Sequence, residues 1–311
     1  MKINKDFWKG KKVFITGHNG FKGAWLTFWL YKMKVDICGF SLKNNKNNIL
    51  FKSLNLEKKI KNVYGDIRNI KELERNIKIF QPDILIHLAA QPLVKISYND
   101  PLETLNTNII GTANVLNSCR NIPSLKSILI VTTDKCYENK ETSRMFVEND
   151  KLGGYDPYSA SKACAEIITS SFKNSFFHNT QDNKTVGIAS ARAGNIIGGG
   201  DWSEFRLIPD IIKSISQDSE IHIRSPKSTR PWQFVLDALY GYLLLIENLY
   251  NNPLKFSGPW NFGPQKDQIF DVEFIVNEIL SYFDSYHKVI FSNNYDFYES
   301  KELMLDITKA K

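Results

Sequence analysis

Short apolar runs alternate along the chain with longer stretches in which apolar residues recur at helical spacing, from the amino terminus to about residue 193. Each short run predicts a buried strand, and each longer stretch predicts a helix that covers the sheet. This alternation predicts an α/β fold built on a doubly wound parallel sheet. The predicted strands are 12–16, 35–40, one that ends at 63–67, 83–88, 127–131 and 186–192.

Beyond residue 200 this regular alternation ends, although no linker or low-complexity segment divides the chain. We therefore predict a smaller α/β part at the carboxyl end, with structural helices over 235–250 and 272–283. The predicted division places residues 1–193 mainly in a cofactor-binding domain. Residues 194–311 are then mainly a substrate-binding part.

The first predicted strand leads directly into a glycine-rich segment, Gly17–Gly23, and an amphipathic helix follows. Gly17 can form a tight turn, Gly20 lets the backbone approach a pyrophosphate, and Gly23 permits close packing of the helix. The amino terminus of that helix would offer free N–H groups to the phosphates. A strand, glycine turn and helix in this order predict a dinucleotide site, although the glycine spacing differs from that of the commonest dehydrogenases.

The residues after the second and third predicted strands bear on the choice of cofactor. An acidic residue at the end of the second strand would select the ribose hydroxyl of NAD. Ser41 and Lys43 follow that strand instead, which leaves NAD and NADP undecided at this position. Asp66, after the third strand, can reach an adenine amino group, or it can cap the helix predicted at 70–80.

Polar and small residues follow the fourth and fifth predicted strands. Ala89, Ala90 and Gln91 leave space for a ligand at the carboxyl edge of a parallel sheet. The segment Thr132–Lys135 ends the fifth strand with hydroxyls, a carboxylate and an amine. Such a set suits proton transfer, and the alternative is a turn closed by a salt bridge.

A tyrosine and a lysine lie four residues apart in the helix predicted after Asp156, which can cap it, and Pro157, which suits its first position. Tyr158 and Lys162 then share one helical face. A nearby ammonium lowers the pKa of a phenol, so the pair could accept a proton from a hydroxyl. The alternative is an ordinary surface pair.

Composition excludes several other classes of protein. The 311 residues are 42% hydrophobic, which allows a sizeable core, and the net charge of +7 comes from scattered lysines with no basic run. We therefore expect no binding of nucleic acid, no membrane span and, since residues 1–16 are rich in charge, no signal peptide. Four cysteines without paired spacing indicate reduced thiols in a cytoplasmic protein, and no metal site is predicted. They are Cys38, Cys119, Cys136 and Cys164.

Taken together, these motifs resemble the extended short-chain dehydrogenase/reductase superfamily, and within it the nucleotide-sugar 4,6-dehydratases, in particular the branch that acts on CDP-glucose. The resemblance implies a Rossmann-type domain with tightly held NAD and a smaller carboxyl-terminal part that holds the sugar nucleotide. It implies a cytoplasmic enzyme that makes a 4-keto-6-deoxy sugar for surface polysaccharide. The segments that carry it are 16–23, 87–94, 132–140, 152–158, 191–202, 206–210 and 230–233.

The resemblance also implies roles for five catalytic residues. Tyr158, assisted by Lys162, would remove the C4 hydroxyl proton, and Thr133 would orient the C4 oxygen. Asp134 would be the acid toward the C6 hydroxyl. Most dehydratases of the superfamily have Glu where this chain has Lys135, and the CDP-glucose branch has Lys, so Lys135 is expected to be the C5 base or its electrostatic partner.

Binding residues follow from the same resemblance and from the residue chemistry, since arginine forks suit diphosphates. A tryptophan, Trp202 or Trp232, could stack on a base or sugar, or simply be buried. The expected cofactor-binding residues are Gly17, His18, Asn19, Gly20, Phe21, Lys22, Gly23, Asp66, Ile67, Leu88, Ala89, Ala90, Gln91, Thr132, Tyr158 and Lys162. The expected substrate-binding residues are Asn195, Arg206, Arg224, Arg230 and Trp232.

Three further expectations complete the prediction. Relatives imply a homodimer or homotetramer. The family usually continues with another helix after a segment like 305–311, where this chain ends, so closure over the substrate is expected to be weakened. The alternative functions are a dehydratase for another nucleotide sugar or an epimerase, or a non-catalytic protein that binds NAD or a nucleotide sugar; the Asp134–Lys135 pair argues against an epimerase.

Overall fold

A computed structural model describes residues 2–43, 48–140, 144–178, 185–283, 287–292 and 302–311. Thirteen strands are assigned in these ranges. They are β1 (Lys12–Thr16), β2 (Asp36–Ser41), β3 (Lys61–Tyr64), β4 (Ile84–His87), β5 (Ser127–Val131), β6 (Gly187–Ala193), β7 (Ile196–Ile197), β8 (Ile221–Arg224), β9 (Thr229–Arg230), β10 (Gln233–Phe234), β11 (Gly258–Phe262), β12 (Phe270–Asp271) and β13 (Val289–Ser292).

Twelve α-helices are assigned in the same described ranges, together with two π-helical segments, Asn106–Ile110 and Lys173–Phe177, and short 3₁₀ turns that include Asp134–Cys136. The α-helices are α1 (Lys5–Trp8), α2 (Phe21–Lys32), α3 (Ile49–Ser53), α4 (Ile70–Phe80), α5 (Val94–Asn99), α6 (Pro101–Leu105), α7 (Gly111–Cys119), α8 (Pro157–Phe172), α9 (Leu207–Ser216), α10 (Val235–Asn251), α11 (Pro253–Phe256) and α12 (Val272–Leu280).

The core of the fold is a seven-stranded sheet in the order β11-β6-β5-β4-β1-β2-β3. All of its pairings are parallel, and β1 lies between β4 and β2, with Thr16 opposite both Phe40 of β2 and His87 of β4. The carboxyl ends of the strands therefore meet at one edge. The strand order reverses beside β1, and in open α/β sheets ligands bind at such a point.

Alternate residues of each central strand face opposite layers of helices, as expected for a sheet covered on both sides. Val13 and Ile15 pack against α2 and α10, whereas Phe14 packs against the layer that contains α4 and α7. Both layers are apolar and closely packed. The prediction of a Rossmann-type doubly wound sheet is confirmed.

The smaller carboxyl-terminal part is α/β as predicted. Strand β8 pairs with β13 in parallel, and the apolar residues of α9, β8 and α12 form a separate core around Ile211, Ile223 and Val276. The sheet, however, extends beyond the predicted division at residue 193. Helix α10 covers one face of the large sheet, and β11 pairs with β6 at its edge. The division itself remains a prediction.

Most predicted elements occur, with ends that differ from the prediction by no more than three residues. The helix predicted over 272–283 ends at Leu280. The chain between β4 and β5 contains α6, the first π segment and α7 in direct succession. Cys38, Cys119 and Cys136 are buried free thiols and Cys164 is partly buried. Within the described ranges no helix is both long and apolar enough to traverse a bilayer.

Candidate active site

The glycine turn between β1 and α2 forms a close-fitting backbone cradle. Gly17 has φ +73°, and a Cβ there would lie 2.6 Å from the backbone nitrogen of Ala89. A Cβ on Gly23 would overlap the carbonyl oxygen of Gly17, whereas one on Gly20 would meet only that oxygen, at 3.5 Å. Helix α2 begins at Phe21 with no side-chain cap on its N–H groups. These features fit the pyrophosphate of a dinucleotide.

A cavity of about 1140 Å³ extends from this turn, past the ends of the sheet strands, to the carboxyl-terminal part. Thr133, Asp134 and Lys135 line its centre. The predicted cofactor residues that line it are Gly17, Asn19, Gly20, Phe21, Lys22, Gly23, Asp66, Ile67, Leu88, Ala89, Ala90, Thr132 and Tyr158. All five predicted substrate residues line it as well, namely Asn195, Arg206, Arg224, Arg230 and Trp232.

Three of the predicted cofactor-binding residues do not line the cavity, namely His18, Gln91 and Lys162. The His18 ring is buried behind the turn, where Nε2 lies 2.5 Å from Asn62 Oδ1 and burial lowers its pKa to about 4. The Gln91 amide donates to Thr104 at 2.8 Å and to the carbonyl of Leu93 at 3.1 Å, and so holds its own loop in place. For these two side chains, a direct cofactor contact is not supported. The third residue is Lys162.

Tyr158 lies in the first turn of α8, which forms as predicted. Asp156 caps the helix by accepting from the backbone N–H of Ser159 at 2.9 Å, and Pro157 occupies the first turn. Burial raises the pKa of Tyr158 to about 12, while a hydrogen bond with Thr133 and the charge of Arg206 oppose that rise. The predicted lowering of this pKa by Lys162 is wrong for this arrangement.

The Lys162 ammonium points along the end of β5 and donates to the carbonyl oxygen of Val131 at 3.3 Å. Burial lowers its pKa to about 8, and the charge of Glu166, one helical turn further on, partly restores it. Tyr158, Lys162 and Glu166 therefore follow one face of α8. The lysine lies between the phenol and a buried carboxylate.

Asp134 is a buried carboxyl group at the centre of the cavity. Its Oδ1 accepts from the Thr133 hydroxyl at 3.0 Å, while Oδ2 has no hydrogen-bond partner in the described structure. Burial raises the pKa of Asp134, and the charges of Lys135 and Arg230 oppose that rise. A buried carboxyl group that tends to keep its proton, with one oxygen unpaired, is suited to act as an acid.

Asp66 does not cap the following helix. Asn69 does so by accepting from the backbone N–H of Glu72, and Asp66 instead pairs with Arg68 through Oδ2 at 2.6 Å. That ion pair lowers the pKa of Asp66, mainly through the hydrogen bond from Arg68. The carboxylate lies at the cavity wall after β3, so it can still accept from an adenine amino group.

The end of the cavity toward the carboxyl-terminal part is lined by the three predicted arginines. Arg206, directly before α9, pairs with Asp201 at 2.5 Å, and Arg230 is buried with Nη1 donating to the carbonyl of Thr229 at 2.8 Å. Trp232 is partly buried and donates to the carbonyl of Phe270 at 3.1 Å. Trp202 is exposed at the rim. Arginines and exposed aromatic faces are typical of sites for nucleoside diphosphates.

The sequence profile of the GDP-mannose 4,6 dehydratase family matches residues 14–255, which include the whole glycine turn, Tyr158 and the arginines. The chain belongs to this family. It is similar to the CDP-glucose 4,6-dehydratase of Salmonella typhimurium, with 43% identity over 309 residues that make up 99% of this chain and 86% of the relative. It also resembles a dTDP-D-glucose 4,6-dehydratase of Dictyostelium discoideum, at 29% identity over 80% of this chain and 59% of the relative.

Solved structures agree with the family in fold. A dTDP-glucose 4,6-dehydratase from Streptomyces venezuelae, with NAD bound, superposes with a TM-score of 0.81 at 18% identity, over 96% of this chain and 89% of that chain. A UDP-glucuronic acid 4-epimerase from Bacillus cereus, in complex with UDP-glucuronic acid and NAD, superposes with a TM-score of 0.83 at 21% identity. The superposition covers 96% of this chain and 91% of that chain. These likenesses identify the Rossmann-type fold.

This member of the GDP-mannose 4,6 dehydratase family has a buried polar network behind Lys162 that the sequence analysis did not predict. Glu166 accepts from Thr132 at 2.5 Å, Ser190 at 2.6 Å and Arg192 at 2.9 Å. Arg192 also donates to the Tyr137 hydroxyl at 2.8 Å, which in turn donates to Asn261 of β11 at 2.6 Å. The only available signal was that Glu166 follows Lys162 by one turn.

Asn108 was missed as well. It lies in the π-helical segment between α6 and α7, is buried, and accepts from the backbone N–H of Gln91 at 2.9 Å while its amide donates to Ser161 at 2.9 Å. The side chain thus ties the loop after β4 to the start of α8. A π segment of this kind is frequent at functional sites, and no sequence pattern marks it.

Proposed function

We propose that the chain is a lyase that converts CDP-glucose to CDP-4-keto-6-deoxyglucose and water. The observation that carries the proposal is the buried, unpaired Oδ2 of Asp134 beside the hydrogen-bonded Thr133 and Tyr158. A 4-epimerase has no water to expel and needs no such acid. The choice of CDP-glucose is supported by the 43% identity to the Salmonella typhimurium enzyme over 99% of the chain.

NAD is the proposed cofactor, and Gly17, Gly20 and Gly23 would hold its pyrophosphate. The cradle supports this, since Gly17 and Gly23 leave no room for a Cβ and Gly20 stays open. Phe21 and Asn19 would line the same segment, and Asp66 would accept from the adenine. When bound, oxidised NAD supplies a positive nicotinamide ring that favours the Tyr158 phenolate, a hydride acceptor for C4 and later a hydride donor for C6.

Tyr158 is proposed to take the C4 hydroxyl proton, with the Thr133 hydroxyl holding the C4 oxygen. The phenol must ionise for this step, and Thr133 and Arg206 lower its pKa against the effect of burial. Lys162, one turn from Tyr158 on α8 and held by the Val131 carbonyl, is proposed to assist this step.

Asp134 is proposed to donate its proton to the C6 oxygen, which leaves as water when the C5–H bond breaks. Its raised pKa keeps that proton in place, which supports this role. Lys135 would act as the C5 base or as the electrostatic partner of Asp134. Its charge lowers the pKa of Asp134, which supports the second of these roles.

The sugar nucleotide would bind across the arginine-lined end of the cavity. Arg206, Arg224 and Arg230 are proposed to contact the diphosphate and nucleotide, with Asn195 on a phosphate oxygen and Trp232 beside the base. All five line one cavity with Thr133, Asp134, Lys135 and Tyr158, which supports a single bound substrate. We further propose a cytoplasmic homodimer or homotetramer, and light scattering of the purified protein would measure its mass.

Incubation of the purified protein with CDP-glucose, dTDP-glucose, UDP-glucose and GDP-mannose in parallel tests the proposal. We expect the alkaline absorbance of a 4-keto sugar from CDP-glucose, with at least about tenfold higher kcat/KM than from the others, a difference of about 1.4 kcal/mol. A keto product from another nucleotide sugar alone would contradict the substrate. Tight binding of CDP-glucose without product would contradict catalysis.

A further inference from the structure

Residues 199–206 connect β7 to α9 without forming a helix or a strand. We call this segment the arginine arm, because its last residue is an arginine. Its first residues are fixed to two helices of the cofactor-binding part. The Trp25 indole of α2 donates to the carbonyl oxygen of Gly199 at 2.9 Å. Gly200, with φ +88°, lies against α3, where a Cβ would be 2.7 Å from Leu50 Cβ. The arm therefore starts from a fixed point.

Asp201 pairs with the arginine at the far end of the arm. Its Oδ2 accepts from Arg206 Nη1 at 2.5 Å, and its Oδ1 accepts from the backbone N–H of Ser203 at 3.2 Å. The Asp201 side chain is 6% exposed and that of Arg206 is 31% exposed. The carboxylate is thus covered, while the guanidinium remains partly accessible. The pair uses Nη1, and a guanidinium has further N–H donors that a ligand can accept from.

Phe205, directly before the arginine, has a backbone conformation that large side chains rarely adopt. Its φ is +62°, in the left-handed region. The ring is 41% exposed, and the Nζ atom of Lys95 in α5 lies 4.3 Å from its centroid. Both residues line the large cavity. Strained residues of this kind persist only where the surrounding structure fixes them, and they are concentrated at sites that bind ligands.

The charges of the arm indicate what these contacts contribute. The ion pair of Asp201 and Arg206 has little net charge, so attraction for a diphosphate comes mainly from the other cations of the cavity. Arg224 and Arg230 line it, and Lys95 adds a cation beside the arm. What Asp201 adds is order. A free arginine side chain loses rotamer entropy when it binds a ligand, and a guanidinium already held in place loses less.

We infer that Asp201 and Lys95 are substrate-positioning residues for the diphosphate of the sugar nucleotide. Asp201 would hold the Arg206 guanidinium, and Lys95 would hold the Phe205 ring and with it the left-handed turn. The inference rests on the proposed function, in which Arg206 is one of the diphosphate ligands. Without either positioning residue, the substrate itself would have to order the arm. The diphosphate would then bind more weakly, and the groups that act on the sugar would be unchanged.

The first experiment measures binding without catalysis. The purified protein with NAD is titrated calorimetrically with CDP, UDP, dTDP and GDP, which share the diphosphate. For each nucleotide that the native protein binds, we expect D201N to weaken binding by about tenfold, because an amide lacks the charge that holds Arg206. R206M should weaken it at least as much. The double variant D201N/R206M should match R206M to within about threefold, because Asp201 acts only through Arg206.

A second Arg–Asp pair serves as the matched control. Arg144 and Asp150 are joined at 2.7 Å, and the arginine side chain is 57% exposed. Neither residue lines the cavity. D150N removes the same charge from a similar pair, so it should bind the nucleotides like the native protein. Weakened binding by both D150N and D201N would assign the effect to net charge and would overturn the role of Asp201.

The contact between Lys95 and Phe205 is tested in the same way. K95M and F205L should each weaken nucleotide binding by about three- to tenfold, and the double variant should be no weaker than the worse of the two. K95R should restore binding to within about twofold of native, because a guanidinium also binds to an aromatic face. The control is K255M, since Lys255 lies 5.4 Å from the centroid of the neighbouring Phe256 on the exposed surface.

Steady-state kinetics with CDP-glucose separate positioning from catalysis. D201N and K95M should raise KM by about three- to tenfold and keep kcat to within about threefold, because they remove binding that the ground state and the transition state share. The NAD content and the melting temperature of each variant are measured alongside. A fall in kcat with an unchanged KM, or loss of NAD from D201N, would contradict a positioning role.

Other outcomes would also overturn the assignments. Native affinity in D201N, or losses that add in D201N/R206M, would overturn the role of Asp201. A loss in K95M that F205L does not share would make Lys95 a direct ligand instead. Failure of the proposed function has a different signature, in which the native protein binds one of the four nucleotides but forms no keto sugar. The binding measurements decide the inference in that case too, and binding of none of the four would overturn both.

Discussion

Glu166 Oε2 lies 2.9 Å from Arg192 Nη2, and both side chains are buried, with 4% and 3% of their surfaces exposed. The pair connects α8, which carries Tyr158 and Lys162, to β6 of the sheet. Removal of either partner would destabilise the fold, because the other charge would remain buried, unpaired and out of contact with water. The pair thus fixes the position of α8 against the sheet and supplies the negative charge behind Lys162.

We predict that Glu166→Gln costs about 3–5 kcal/mol in the free energy of unfolding, because Arg192 loses its counter-charge. Denaturant titration measures this loss. Because Glu166 also raises the pKa of Lys162, its removal should move the alkaline limb of the activity profile to lower pH. The double variant Glu166→Gln/Arg192→Met should recover part of the stability. An unchanged alkaline limb would contradict the link to Lys162.

We predict that Asp134→Asn retains NADH formation from CDP-glucose while keto-sugar formation falls by about 10²–10⁴-fold, because the C6 oxygen loses its proton donor. Rapid mixing that follows NADH and product separately would distinguish the two steps. The control Asp237→Asn changes an acidic residue in the first turn of α10 and should leave both steps unaffected. Equal loss of both steps in Asp134→Asn would assign the residue to the C4 oxidation.

The same substitution has a stability signature. The pKa of Asp134 is raised in the folded protein, so the protonated form is favoured there. Its contribution to stability is full below the unfolded pKa of about 3.9 and is lost as the pH rises through the raised value. At pH 8, Asp134→Asn should therefore melt at a higher temperature than the native protein. At pH 3.5 the two melting temperatures should differ little. Thermal melts of the two proteins at both pH values would check this.

We predict that Tyr158→Phe lowers kcat for keto-sugar formation by about 10³-fold or more with NAD still bound, because no group then accepts the C4 hydroxyl proton. Tyr155→Phe is a matched control three residues earlier, since the Tyr155 ring is 77% exposed. The readouts are steady-state product formation and the absorbance of NAD released on denaturation. Comparable losses in both variants would indicate a structural effect of this turn.

The glycines of the cradle should respond differently to a methyl group. Gly23→Ala should unfold at lower temperature and purify without NAD, because its Cβ would overlap the Gly17 carbonyl. Gly20→Ala makes only an ordinary contact at 3.5 Å, so it should fold normally and hold NAD at least about tenfold more weakly. Gly199→Ala, with open space around it, serves as the control. Full retention of NAD by Gly20→Ala would contradict the predicted pyrophosphate site.

Local features were predictable from the sequence because neighbouring residues determine them. The strands, the turn at Gly17–Gly23 and the start of α8 with its Asp156 cap each depend on a few consecutive residues. The residues that follow the strands could be assigned to one edge of the sheet, because the carboxyl ends of parallel strands meet there. Asp134 and the three arginines predicted to bind substrate line the same cavity.

Features that depend on distant residues were not predictable. Glu166 and Arg192 are 26 positions apart, and only the packed sheet brings them together. The direction of Lys162 toward Val131, and hence its small effect on the pKa of Tyr158, follows from the same packing. The position of the His18 ring, which contacts Asn62 behind the glycine turn, also depends on packing against a distant residue.

The return of β11 to the edge of the large sheet affects how this protein is made. Helix α10 supplies much of the apolar layer over β1, β5 and β6, and both elements follow the first strands of the carboxyl-terminal part along the chain. A ribosome must therefore release residues through Asn251 before that face of the sheet can be covered, and through Phe262 before β11 can pair at its edge. Until then the nascent amino-terminal half has an exposed apolar face. Chains in this state tend to aggregate and are bound by chaperones. Expression of residues 1–193 alone should give insoluble protein.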